Sequence, residues 1–291
     1  MGMLDGKVAL VTGAGGGLGR AHAMLLAEEG AAVVVNDLGG SRDGTGTGSR
    51  MADAVVDEIK AAGGQAAADY GSVSDPAAAR AMVQTAVTQF GKLDICINNA
   101  GILRDKSFKN MTDDMWDIVV EVHLRGTYLV TKAAWEQMIS QGTGGRIVNT
   151  SSTSGLIGNF GQANYGAAKA GIAGLTRVLA LEGRKYGITV NTLAPAAWSR
   201  MTENIMPEGV EERFGPEKVS PAVVWLCSDD AGDVTGRQFS VGANRIALLS
   251  WQVTEIADKD PTDSPWSVDE VGERMRATMG HWPKLLKPME V

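Results

Sequence analysis

Short apolar runs rich in β-branched residues alternate along this chain with longer stretches of helical periodicity, and that alternation leaves few folds open. Residues 8–12, 33–37, 93–98, 146–151 and 189–193 read as strands, and 18–29, 50–62, 77–90, 113–138 and 163–186 as helices. The strands are nearly continuous apolar runs with little polar alternation, as expected when a parallel sheet is covered by helices on both faces. Parallel strands joined through helices need right-handed crossovers. The expectation is an α/β fold, a doubly wound parallel sheet of Rossmann type. A chain of 291 residues can build this around one main core.

Composition narrows the function. A formal net charge of −7 argues against a broad surface for nucleic acid or an anionic membrane. Cys96 and Cys227 are too far apart in sequence to suggest a disulfide framework or a zinc site. His22, His123 and His281 form no i, i+4 pair, so no catalytic metal is expected. The first residues run directly into a strand with no charged-plus-apolar leader, and no apolar run is long enough to span a bilayer. A cytoplasmic protein is the expectation.

Residues 1–244 read as one dinucleotide-binding catalytic domain. Within it, the glycine-rich stretch 38–49 is a loop that follows the second strand, near the adenosine end of any cofactor; Arg42 on it reads as solvated. From 245 to 291 the βα rhythm stops. This C-terminal extension carries Trp251, Trp266, Trp282 and one helical stretch, 267–279. Its aromatic side chains are costly to leave in water, so it should pack on the chain's own cleft or on a partner subunit.

Directly after the first strand comes Thr12-Gly13-Ala14-Gly15-Gly16-Gly17-Leu18-Gly19, then a helix. Glycines there permit positive φ and close backbone approach, and the helix N-terminus offers unpaired N–H groups to a pyrophosphate. The spacing is T-G-x-x-x-G-x-G, not the G-x-G-x-x-G of other dinucleotide sites. Asp37 ends the second strand, where a carboxylate accepts the adenosine ribose hydroxyls and repels a 2′-phosphate; NAD is therefore expected over NADP. Asn98-Asn99-Ala100-Gly101 follows a later strand and leaves room for a ligand at the carboxyl edge of the sheet.

Tyr165 and Lys169 stand at i and i+4, on one helix face. A phenol is a poor base at neutral pH unless positive charge lowers its pKa, and Lys169 together with an oxidised nicotinamide is expected to do that. Ser152, just after the strand 146–151, can return its hydroxyl to the tyrosine.

In this order the motifs resemble the short-chain dehydrogenase/reductase family over residues 6–242. The resemblance implies a catalytic set of Ser152, Tyr165 and Lys169. It also implies cofactor contacts from Gly13, Gly17, Leu18, Gly19, Asp37, Asn99, Ala100, Gly101, Tyr165, Lys169 and Pro195. Many members have asparagine where this chain has His123 in His123-Leu124-Arg125-Gly126, so His123 either replaces it in the catalytic relay or is a packed helix histidine.

Longer strings, such as Val35-Asn36-Asp37-Leu38-Gly39-Gly40 and Gly158-Asn159-Phe160-Gly161-Gln162-Ala163-Asn164-Tyr165, resemble one subgroup, the (3R)-hydroxyacyl-CoA dehydrogenase (17β-hydroxysteroid dehydrogenase) units of peroxisomal multifunctional enzymes. That resemblance implies oxidation of a fatty or steroid hydroxyacyl-CoA by NAD, in a homodimer. A 3-oxoacyl-thioester ketoreductase, a free hydroxysteroid dehydrogenase and a non-enzymatic dinucleotide sensor are the alternatives. Asp37 argues against an NADPH-driven ketoreductase, and the intact Ser152, Tyr165 and Lys169 argue against a sensor. Arg104, Lys106 and Lys109 are either cations for the phosphates of coenzyme A or solvated loop charges.

Overall fold

The computed structural model describes residues 2–41, 43–198, 209–284 and 286; Arg42 lies outside them. Among these residues the strands are β1 (Val8–Thr12), β2 (Ala32–Asn36), β3 (Gln65–Asp69), β4 (Ile95–Asn98), β5 (Gly145–Thr150), β6 (Ile188–Ala196), β7 (Gln238–Gly242) and β8 (Arg245–Leu249). They form one sheet in the order β3-β2-β1-β4-β5-β6-β7-β8. All pairings are parallel except β7 with β8. The expected doubly wound sheet is present, and its order reverses between β1 and β4, which opens a crevice at the carboxyl ends of those two strands.

The helices are α1 (Gly17–Glu28), α2 (Arg50–Ala61), α3 (Pro76–Phe90), α4 (Asp113–Val120), α5 (Gly126–Gln141), α6 (Thr153–Leu156), α7 (Ala163–Gly183), α8 (Ser220–Cys227) and α9 (Val268–Thr278). They cover both faces of the sheet. Leu26, Val55, Ile59 and Val223 from α1, α2 and α8 pack under one face with Val33, Val35 and Ile97. Met82, Val130, Met138 and Ala180 from α3, α5 and α7 pack under the other with Leu10, Val34 and Ile147. Val33 and Val34, adjacent on β2, therefore enter opposite cores, which is why the strand shows no polar alternation.

The sequence reading left the stretches that form α6, α8 and β7 unassigned, and it differs from the structure at three further places. β3 is Gln-Ala-Ala-Ala-Asp, a run without β-branched residues that pairs at the sheet edge and has little strand signal of its own. The expected helix 113–138 is divided by a π-helical turn, Glu121–Arg125, between α4 and α5; such insertions re-aim the side chains that follow. β8 falls inside the stretch expected as a tail, yet it extends the sheet by an antiparallel strand.

Beyond β8, Ser267 caps α9 through a reciprocal bond with Glu270. No α9 residue is buried, and Trp251 and Val268 are 70% and 88% exposed. Among the described residues no helix is long and apolar enough to cross a membrane, and no group of three His, Cys, Asp or Glu side chains could hold a metal ion.

Candidate active site

The crevice between the ends of β1 and β4 is walled by Gly13, Gly17, Leu18, Asp37, Asn99, Ala100 and Gly101, together with part of the loop that follows β2. Gly13 has φ +63, and a Cβ there would come 2.8 Å from the Ala100 Cα. A Cβ on Gly19 would lie 2.1 Å from the Gly13 carbonyl oxygen, so Gly19 lets α1 pack against the turn and stands behind the wall. No side chain caps the α1 N-terminus. Its free N–H groups beside Gly16 and Gly17 fit a pyrophosphate.

Asp37 follows the last residue of β2. Its Oδ2 accepts the Gly15 N–H at 2.8 Å and its Oδ1 accepts the Gly39 N–H at 2.7 Å. Those bonds fix the carboxylate and leave it with lone pairs toward the crevice, since a carboxylate has about four acceptor sites. The donor set therefore fits a dinucleotide whose ribose hydroxyls meet Asp37.

Asn99 has a role that its motif did not show. Its Nδ2 donates to the carbonyls of Thr12 and Gly13, both at 3.1 Å. Thr12 Oγ1 accepts the N–H groups of Asn99 and Ala100 at 3.0 and 3.1 Å. These bonds lock the ends of β1 and β4 together and hold both walls at the crevice.

Ser152, Tyr165 and Lys169 stand at the same carboxyl edge. Ser152 caps the short helix α6 by accepting the Ser154 N–H at 3.1 Å. Lys169 is buried on α7 and donates from Nζ to the Thr150 carbonyl at 2.6 Å, with Nζ 5.4 Å from the centroid of the Tyr165 ring. Burial lowers Lys169 from its ordinary 10.5 to about 7.

By the chain's own groups alone Tyr165 is pushed up to about 12, first by burial of the hydroxyl, with a hydrogen bond to Ser152 lowering it and the charge of Asp105 raising it; the expected lowering was by Lys169 together with an oxidised nicotinamide, whose charge is not part of this balance. Burial disfavours the charged form of both side chains, raising Tyr165 and lowering Lys169. Pro195 lies near the end of β6, paired with Val241, and does not line the crevice; nor do Ser152, Tyr165 and Lys169.

His123 lies in the π-helical turn, buried and edge-on to the Tyr165 ring at 5.1 Å between centroids. Its Nε2 is 3.0 Å from the Ile102 N and 2.8 Å from the Ile102 O, two contacts that belong to alternative tautomers. Its Nδ1 is buried with no partner among the described residues. Burial, then the charge of Lys169, depresses His123 to about 3, so it is neutral. Gly101 is required beside it, because a Cβ there would come 2.2 Å from the imidazole Cε1.

The loop that follows β4 is tied to the start of α7. Asn164 is buried, donates from Nδ2 to the carbonyls of Arg104 and Met115 at 3.0 and 2.8 Å, and accepts the Tyr165 N–H at 2.7 Å. Gln162 donates to Asp105 at 2.8 Å. Asn164 was legible only as the neighbour of the tyrosine. Arg104 is not a free loop charge: its Nε donates to the Asp43 carbonyl at 2.8 Å. Lys106 and Lys109 are exposed.

The doubly wound sheet with a glycine turn after β1 agrees with the family that the motifs resemble, the short-chain dehydrogenases. The model of that family matches residues 7–209, and the chain belongs to it. The chain is 55% identical over 250 residues to peroxisomal multifunctional enzyme type 2 of Mus musculus, covering 86% of this chain and 33% of the mouse protein; it thus spans about a third of that relative. It is 43% identical over 264 residues to a hydroxyacyl-CoA dehydrogenase of Mycobacterium tuberculosis, covering 85% of this chain and 80% of the other. The crystal structure of a short chain dehydrogenase from Mycobacterium avium superposes with a TM-score of 0.86 at 43% identity, covering 98% of each chain.

Proposed function

We propose that this oxidoreductase removes hydride from the 3-hydroxyl of a (3R)-hydroxyacyl-CoA, with a fatty or steroid side chain, and passes it to NAD. The observation that carries the reading is the Ser152–Tyr165–Lys169 set at the sheet edge beside a crevice whose adenosine end is closed by Asp37. The relatives named as a multifunctional enzyme and a hydroxyacyl-CoA dehydrogenase support the substrate class. When bound, NAD supplies the hydride acceptor and a positively charged ring.

Tyr165 takes the hydroxyl proton as a phenolate, and Ser152 donates to the substrate oxygen as it becomes a carbonyl. Lys169, anchored by the Thr150 carbonyl, holds positive charge near the phenolate. Burial that keeps Tyr165 at about 12 restricts the phenolate to the loaded site, where further positive charge is present. His123 is neutral, packs against Tyr165 and positions the ring. A homodimer in the cytoplasm completes the proposal, with residues 1–244 as the catalytic domain, its sheet extended by β8, and the exposed tryptophans beyond β8 covered by the partner.

The test is an assay of both enantiomers of a 3-hydroxyacyl-CoA series beside free hydroxysteroids, with NAD and NADP, following the reduced cofactor. The 3R thioester with NAD is the expected best pair. A winning 3S form, or a free alcohol that outperforms its CoA ester, refutes it.

A further inference from the structure

The loop between β2 and α2 has the construction of a hinged strap. Its neck is closed by the Gly48 N–H on the Leu38 carbonyl at 2.9 Å, and Gly39, at φ +76, packs so tightly against Gly48 that a Cβ would meet its carbonyl oxygen at 1.9 Å. Its tip is a separate small turn. Ser41 N donates to the Thr45 carbonyl at 2.8 Å, and the Asp43 carboxylate accepts the Ser41 and Thr45 hydroxyls, each at 2.7 Å. Between neck and tip stand Gly40 and Gly46, positions of high backbone freedom.

The tip does not rest on its own side of the crevice. In the sheet, β1 lies between β2 and β4, so a loop that leaves β2 and touches the loop after β4 must cross above the carboxyl end of β1, where the glycine turn lies. That crossing is made: Gly44 sits against Ile102, and Arg104 Nε donates to the Asp43 carbonyl at 2.8 Å. Leu38, Gly40, Ser41 and Gly44 line the crevice from above. The Arg104 carbonyl is in turn held by Asn164, which caps the Tyr165 N–H, so the fastening point is continuous with the start of the catalytic helix.

We propose that residues 38–41 and 43–48 form a strap across the dinucleotide crevice and that Arg104 fastens it, so that cofactor entry and exit both require the Arg104–Asp43 bond to open. This rests on the dinucleotide reading of the crevice. It also assigns Arg104 to cofactor retention and not to the phosphates of coenzyme A. A gate and a direct contact leave different kinetic marks. Loss of a gate accelerates association and dissociation together and changes Kd little, whereas loss of a direct contact raises dissociation and Kd alone.

The experiment uses the full chain and NADH fluorescence. Calorimetry first measures NADH binding to the wild type, and stopped-flow mixing and displacement then give both rate constants for wild type and Arg104→Met. The expected result is an increase of about 10- to 100-fold in both constants, the range that one charge-assisted hydrogen bond carries. Hydrogen exchange of the 38–48 peptide should be faster, with the α8 peptide unchanged. Asp43→Ala, which loosens the turn that presents the carbonyl, should give the same paired acceleration, and the double variant should add little. It also stands in if Arg104→Met folds poorly. Unchanged rates in both variants, or faster dissociation with unchanged association, overturn the strap. Failure of the wild type to bind NADH overturns the dinucleotide reading beneath it.

Discussion

Lys169→Met removes an ammonium that the fold holds at a cost, and the size of that cost follows from the shift. Burial brings Lys169 from 10.5 to about 7, so at pH 6 the charged folded form is disfavoured by roughly 5 kcal/mol relative to the unfolded chain. The unfolded lysine holds its proton up to its ordinary pKa, whereas the folded one releases it near 7. The penalty is therefore complete below pH 7, shrinks as pH rises toward 10.5, and is absent above it. Methionine fills the same channel without charge but leaves the Thr150 carbonyl without the Nζ donor, a loss of about 1–3 kcal/mol. The net gain at pH 6 is then about 2–4 kcal/mol, or roughly 4–8 °C in Tm for a chain of this size, and at pH 9.5, where only about 1.4 kcal/mol of the penalty remains, it vanishes or becomes a loss of up to about 2 kcal/mol. Turnover should fall by about 10² or more, because the phenolate loses its nearby cation. Thermal melts at the two pH values, with a turnover assay on the same samples, measure all three quantities. A Tm at pH 6 no higher than wild type, or a gain that does not change with pH, refutes the reasoning.

Asp37→Ala should shift the NAD to NADP ratio of kcat/KM toward NADP by about 10-fold or more, since it removes the charge that opposes a 2′-phosphate; a wild type that prefers NADP contradicts the assignment. His22 is depressed by burial from 6.5 to about 4, with Nδ1 2.8 Å from the Ser220 Oγ. As pH falls from 6.5 to 4 the unfolded chain takes a proton that the folded chain refuses, so stability drops by up to about 3 kcal/mol from this group, and the depressed His123 adds to it with the same sign. His22→Asn keeps an acceptor near the Nδ1 position and should reduce the slope of stability against pH in denaturant melts; an unchanged slope counts against it. Removal of residues 250–291 leaves β8 in place and should lower the number of subunits in the solution assembly or raise KM for the CoA ester, whereas an unchanged subunit number, Tm and KM would show the tail to be dispensable.

What the sequence by itself determined is everything that depends on neighbours a few residues apart. Strand and helix periods set the doubly wound sheet, the glycine spacing set the turn after β1, and the i, i+4 spacing set Tyr165 and Lys169 on one face of α7. Local signals were silent where an element is stabilised by its partners: β3, built on alanine, is a strand because β2 pairs with it, and β8 because β7 does. Within the run 113–138 the hydrophobic pattern is continuous, and only the packing of His123 against Ile102 and Tyr165 reveals the π-helical turn. The burial that raises Tyr165 was likewise beyond reach, because desolvation depends on what the whole fold places around a hydroxyl. Arg104 makes the same point from the opposite direction, since Asp43 is distant in sequence and β-sheet order alone brings its carbonyl to the guanidinium. Tertiary structure decided these matters because burial and long-range hydrogen bonds are properties of the assembled sheet, whereas periodicity and spacing belong to the chain before it folds.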